Sequence, residues 1–149
     1  MYEEYSRQSL PSKKYRELLG TAICVFNSNN SFIIENILRH DENKKYSWHE
    51  LIDRTSGGLF EPIKNTITQK SNRVIARKFN DIVNKRNRIM HSFQITAPAA
   101  INISDDPDNQ ILATKFRSGK QEIITENFLY DFIQENDELS SELHKFRGY

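Results

Sequence analysis

The stretch Arg86-Asn87-Arg88-Ile89-Met90-His91 carries the residue types best suited to chemistry in this chain. A histidine titrates near neutrality, so it can take a proton from a ribose 2′-hydroxyl or donate one to a leaving 5′-oxygen. An arginine stays protonated and offers a planar fork to a phosphate, stabilising the charge that builds on pentacoordinate phosphorus. Asn87 can orient the imidazole or contact the phosphate. RNA supplies its own nucleophile, so this chemistry calls for no metal and no cofactor. The candidate catalytic residues are therefore Arg86, Asn87 and His91. Arg77, Lys78, Lys85 and Arg88 are the candidates for holding an RNA backbone.

Other chemistries find less support. There is no CxxC, HExxH or paired Cys/His spacing, so a dedicated zinc site is not indicated. Gly57-Gly58 fits neither a phosphate loop nor a dinucleotide fingerprint. Ser47/His49 and His91/Ser92 are neighbours in sequence, which does not make a triad. Cys24 lies among Ile23, Val25 and Phe26 and reads as a packing residue. Trp48 reads as a core anchor rather than a base-stacking platform. His49 and His144 read as surface residues, and His40 as part of a loop.

The elements that must position the candidates are mostly helical. Pro11 opens a first helix, with Tyr15, Leu18, Leu19, Ala22, Ile23 and Phe26 on one stripe. Asn27-Ser28-Asn29-Asn30 is expected to break it, with Ser31 capping a second helix through Phe32 to Leu38. Ser47-Trp48-His49-Glu50 has the capping-box form, opening a short helix that Gly57-Gly58 closes. Val74, Ile75, Phe79, Ile82, Val83, Ile89, Met90 and Phe93 then form one long apolar stripe. A loop from Ile103 to Gln110 follows. Ile111–Thr125 reads as a β-hairpin about Ser118-Gly119, and Thr125 caps a last helix over about 126–146.

Arg86 falls in line with the apolar stripe, four residues after Ile82 and three after Val83. A guanidinium there needs a partner or a polar groove. His91 lies about 140° and ~7.5 Å further along a regular helix, so the two are not stacked on one face. Asn87 and His91 do share a face. A pocket taking both Arg86 and His91 forms at the helix flank, or across a two-fold axis that brings two copies of each into one groove. The alternative is an Arg86 paired with Asp53 or Glu61 and a His91 that merely ends its helix.

Composition bounds these readings. The 149 residues suit one domain spanning 1–149, and a single Cys excludes an internal disulfide. Twenty-one Lys and Arg against twenty Asp and Glu give a formal charge of +1, which argues against a wholesale basic coat. The total hides a split. Between Lys64 and Arg88 eight basic residues face Asp81 alone, a net +7, while Asp105 to Glu142 carries a net −7. The split is either an anion-binding face with a solvated counterpart, or two faces that neutralise each other within the fold. No apolar run approaches the ~20 residues of a membrane span. The first eighteen residues lack a signal-peptide core. A cytoplasmic protein with no membrane partner is the expectation.

Arg-Asn-three residues-His near the end of a long apolar-striped helix resembles the HEPN superfamily. That resemblance covers the helices from Pro11 to Phe93. It implies a mainly α, HEPN-like helical bundle with the hairpin inserted before the C-terminal helix. It further implies a homodimeric, metal-independent endoribonuclease with Arg86 and His91 catalytic and Asn87 the polar residue after the arginine. A toxin or anti-phage defence role, with an antitoxin or regulatory partner protein, belongs to the same expectation. In toxins paired with minimal nucleotidyltransferases a tyrosine stands two residues after the His. Phe93 occupies that position here, so modification of such a tyrosine is not available. The competing reading is a non-catalytic helical module that binds nucleotide, RNA or a partner protein through the same groove.

Overall fold

The computed structural model describes residues 1–98, 101 and 108–148. Most of the expected Ile103–Gln110 loop, and Tyr149, lie outside them. Three long helices carry the core. Helix α1 runs Lys13–Arg39, α5 runs Val74–Met90 and α6 runs Glu126–Arg147. Contacts such as Lys14–Glu126, Asn29–Asn136 and Glu35–Arg147 advance together along both helices, so α1 and α6 are parallel. Lys78–Glu138 and Lys85–Glu135 run oppositely, so α5 is antiparallel to α6. Each helix contributes one phenylalanine to the centre: Phe26 stacks on Phe79 at 6.3 Å and on Phe132 at 6.4 Å between ring centroids. Shorter elements bridge α1 to α5, namely α2 (Trp48–Asp53), a 3-10 turn (Ser56–Leu59), α3 (Phe60–Asn65) and α4 (Ile67–Lys70). They bury Leu51, Leu59, Ile63 and Ile67 in the same apolar cluster.

Local signals account for several boundaries. The Ser12, Ser47 and Thr125 hydroxyls each accept an N–H of the first turn, opening α1, α2 and α6. Pro11 therefore sits before the cap rather than in the first turn. The expected break at Asn27–Asn30 does not occur, and α1 is continuous. Asn29 is buried, and its amide donates to the Asn136 carbonyl (2.7 Å) and side-chain oxygen (3.0 Å) on α6. That pairing outweighs the weak helix propensity of the run. Gly57-Gly58 does not close α2. Arg54 leaves the helix in extended conformation, and the glycines form the following 3-10 turn, where Arg54 donates to the Gly58 carbonyl at 3.2 Å.

The expected hairpin is present as β2 (Gln110–Lys115) and β3 (Gln121–Ile124), turning at Gly119, whose φ of 89° suits glycine. It is part of a larger element. Strand β1 (Ser92–Thr96) pairs antiparallel with β2, giving a three-stranded sheet in the order β1-β2-β3 before the C-terminal helix. Helix α5 consequently stops at Met90, and Phe93 belongs to a strand. The helical period overran here because Phe93 fits both the 3.6 spacing and the alternation of Ser92-Phe93-Gln94-Ile95-Thr96. Tyr15 ties the sheet to α1: its hydroxyl donates to the Ile124 carbonyl at 2.6 Å and accepts the Leu112 N–H at 3.4 Å.

Two expected packing residues lie at the surface. Cys24 is exposed on the outer face of α1, and Trp48 is 50% exposed with its ring edge-on to His49. Among the described residues no helix is long and apolar enough to cross a membrane.

Candidate functional site

The candidate residues sit on the last two turns of α5 and its C-cap. Arg86 is half-buried, with its guanidinium carbon 5.4 Å from the centre of the Phe26 ring. A cation over an aromatic face is favourable and leaves the charge available. Its Nη1 donates to the Asn87 side-chain oxygen at 3.4 Å. It has no ion pair among the described residues, with Asp53 and Glu61 or any other acid. Asn87 is exposed. His91 caps the helix, its N–H bonding the Asn87 carbonyl at 3.0 Å, and its side chain is exposed without a described partner. Arg86 and Asn87 are thus brought into contact. His91 lies one turn beyond Asn87 on the solvent side.

The helix end that holds these groups is fastened by two hydroxyls. Ser92 donates to the Ile89 carbonyl at 2.6 Å and Thr114 of β2 donates to the Arg88 carbonyl at 2.9 Å. These carbonyls belong to the last turn, which has no partner within the helix. Thr114 pairs in register with Ser92, so the sheet meets the helix directly beside His91. This contact was missed by sequence reasoning. A threonine on a strand gives no local hint that it will cap a helix 26 residues earlier.

The four candidate RNA-binding cations divide. Lys78 pairs with Glu138 at 3.4 Å and Lys85 pairs with Glu135, both across the α5–α6 cleft. Arg88 reaches Glu122 at 3.2 Å, with its guanidinium 4.3 Å from the Phe128 ring centre and 5.8 Å from that of Phe116. Arg77 is exposed and has no side-chain partner among the described residues. Three of the eight cations of the basic stretch are therefore neutralised by acids of the acidic one. Glu122, held by Lys120 at 2.8 Å and facing Arg88, has its carboxyl kept below the usual range, first by the Lys120 hydrogen bond. No group of three or more metal-binding side chains occurs among the described residues.

Exposed apolar side chains adjoin the site: Met90 is 52% exposed and Phe93 38%. Compared with family models, with curated proteins and with solved structures, the chain matches none of them.

Proposed function

We propose that the protein is a metal-independent endoribonuclease whose site is completed by a second copy of the chain. The observation that carries this reading is the end of α5. There a guanidinium with no ion pair among the described residues, an amide in contact with it and a solvent-facing imidazole occupy six consecutive residues. In the reaction one His91 takes the proton from a ribose 2′-hydroxyl, and the 2′-oxygen attacks the adjacent phosphorus. The bond to the 5′-oxygen breaks, and that oxygen receives a proton from the imidazolium of the second protomer. Arg86 faces the phosphoryl oxygens as their charge grows. The products are a 2′,3′-cyclic phosphate and a 5′-hydroxyl.

A homodimer is favoured by two features. Arg86 and His91 point away from each other around the helix, so one copy supplies half of a two-sided cleft. Met90 and Phe93 beside them offer apolar surface for an isologous contact. The HEPN-like resemblance of the motif extends the proposal to a toxin or anti-phage defence role, with an antitoxin or regulatory protein as partner. A second reading, a non-catalytic module that binds RNA, nucleotide or protein, is favoured by the internal pairing of Lys78, Lys85 and Arg88.

The deciding experiment is RNA cleavage in EDTA, with products analysed for the cyclic phosphate. Wild-type protein cleaves; Arg86→Ala and His91→Ala do not, while keeping their helical circular dichroism. Cleavage by either variant at the wild-type rate rejects the catalytic assignment, and binding without turnover by the wild type selects the second reading.

A further inference from the structure

Helix α5 and its two caps carry a second pattern that the Arg86–His91 pair does not use. Arg73, Arg77, Asn80, Asn84, Asn87 and His91 follow one another at spacings of four, three, four, three and four. At 100° per residue they fall within about 40° of a common line along the helix. All six are exposed. The side chains of Arg73, Arg77, Asn80 and Asn84 have no hydrogen bond or ion pair among the described residues. The neighbouring flank, with Lys78, Lys85 and Arg88, is the part neutralised by α6 and β3. Asp81, the one acid of α5, lies about 80° from the line, one turn after Arg77, and makes no ion pair with it. One helix thus has a flank paired with acids and a stripe that meets no acid among the described residues, and the stripe ends at His91.

The geometry points to this stripe as the track for a single-stranded RNA, with phosphates on Arg73 and Arg77 and unpaired bases on the row of asparagines. The substrate class follows from the side chains. Two arginines with no ion pair among the described residues suit a polyanion and would release counterions on binding it. A carboxamide offers both donor and acceptor, which matches the edges of bases. In duplex RNA the major-groove edges are out of side-chain reach, so a row of three amides fits bases that are not paired. Eighteen residues of helical rise span about 27 Å, room for several nucleotides leading to the imidazole. This inference specifies the substrate of the proposed ribonuclease and rests on that reading for its direction toward His91.

The test separates binding from cleavage. Anisotropy of a fluorescein-labelled, mixed-sequence single-stranded RNA 12-mer is measured on the His91→Ala protein over a salt series. Adding Arg73→Ala and Arg77→Ala together should raise Kd about tenfold and lower the salt slope by ~0.7 per lost phosphate contact. Adding Asn80→Ala and Asn84→Ala should raise Kd with the slope unchanged. The control Lys44→Ala/Lys45→Ala removes equal charge from the α1–α2 loop and should leave both within twofold. An arginine pair that behaves like this control, or a duplex of the same sequence bound as tightly, overturns the track. Wild-type protein that binds along the stripe but does not cut removes the ribonuclease and leaves the track standing. Cleavage with KM unmoved in Arg73→Ala/Arg77→Ala does the reverse.

Discussion

The Thr114 hydroxyl donates a 2.9 Å hydrogen bond to the Arg88 carbonyl, so a strand late in the chain caps the helix that presents His91. The three-stranded sheet thereby acquires a role at the site without contributing a reactive group to it. Thr114 is 5% exposed, so the carbonyl it serves has little access to water once the donor is lost. Thr114→Val should cost about 1 kcal/mol in urea denaturation, and Thr114→Ser should recover most of it. In the cleavage assay Thr114→Val should lower kcat with little change in KM, since the helix end is loosened but the stripe is intact.

Arg88 locks the same junction from the other side. It lies between the Phe116 and Phe128 rings and pairs with Glu122, with a side chain 22% exposed. Arg88→Ala should destabilise the protein by about 1–3 kcal/mol, and Arg88→Lys should recover only part, because an ammonium lacks the flat face that stacks between rings. Glu122 adds an acid dependence. Its folded pKa lies below the ordinary 4.5, so its contribution is present above that pH and lost as pH falls through the lowered value. Denaturation midpoints should fall less steeply below pH 4.5 in Glu122→Gln than in the wild type.

Asn29 and Asn136 fix α1 against α6 through hydrogen bonds of 2.7 and 3.0 Å in a buried setting. Asn29→Leu leaves the Asn136 side-chain oxygen without its donor and should cost about 1–3 kcal/mol. The double variant Asn29→Leu/Asn136→Leu should be less destabilised than the sum of its single changes, because no unpaired side chain remains across the helix contact. A thermal-melt double-mutant cycle reads this coupling.

Tyr15 is fully buried, and burial pushes its phenol up from 10 to about 12. The neutral hydroxyl is the form that donates to the Ile124 carbonyl. In the unfolded chain the phenol ionises near 10, so this residue's stability contribution is complete below pH 10 and is lost as pH rises toward 12. Tyr15→Phe should cost about 1–2 kcal/mol at neutral pH and show a shallower alkaline loss of stability in denaturant titrations.

Particular residues explain which parts of the fold were legible beforehand. Ser47, Thr125 and Gly119 announce two helix starts and a hairpin turn because their roles are local. Phe26, Phe79 and Phe132 declare inward faces through helical spacing, though nothing in that spacing says that they meet each other. Asn29 misleads in the opposite direction: its run looks like a break until Asn136 is there to receive its amide. Phe93 misleads because one apolar residue satisfies two periods. Trp48 misleads because large apolar surface is a tendency toward burial and not a position.

The sequence by itself determined that the chain is mainly helical, that Arg86, Asn87 and His91 lie at one helix end, and that opposite charges are segregated along it. Those are consequences of residue type and spacing within a few turns. Only the tertiary structure decided which cations remain available. Lys78, Lys85 and Arg88 meet acids from α6 and β3, while Arg73, Arg77 and Arg86 meet none among the described residues. Pairing depends on contacts between residues tens of positions apart, and helical periodicity carries no information about that distance.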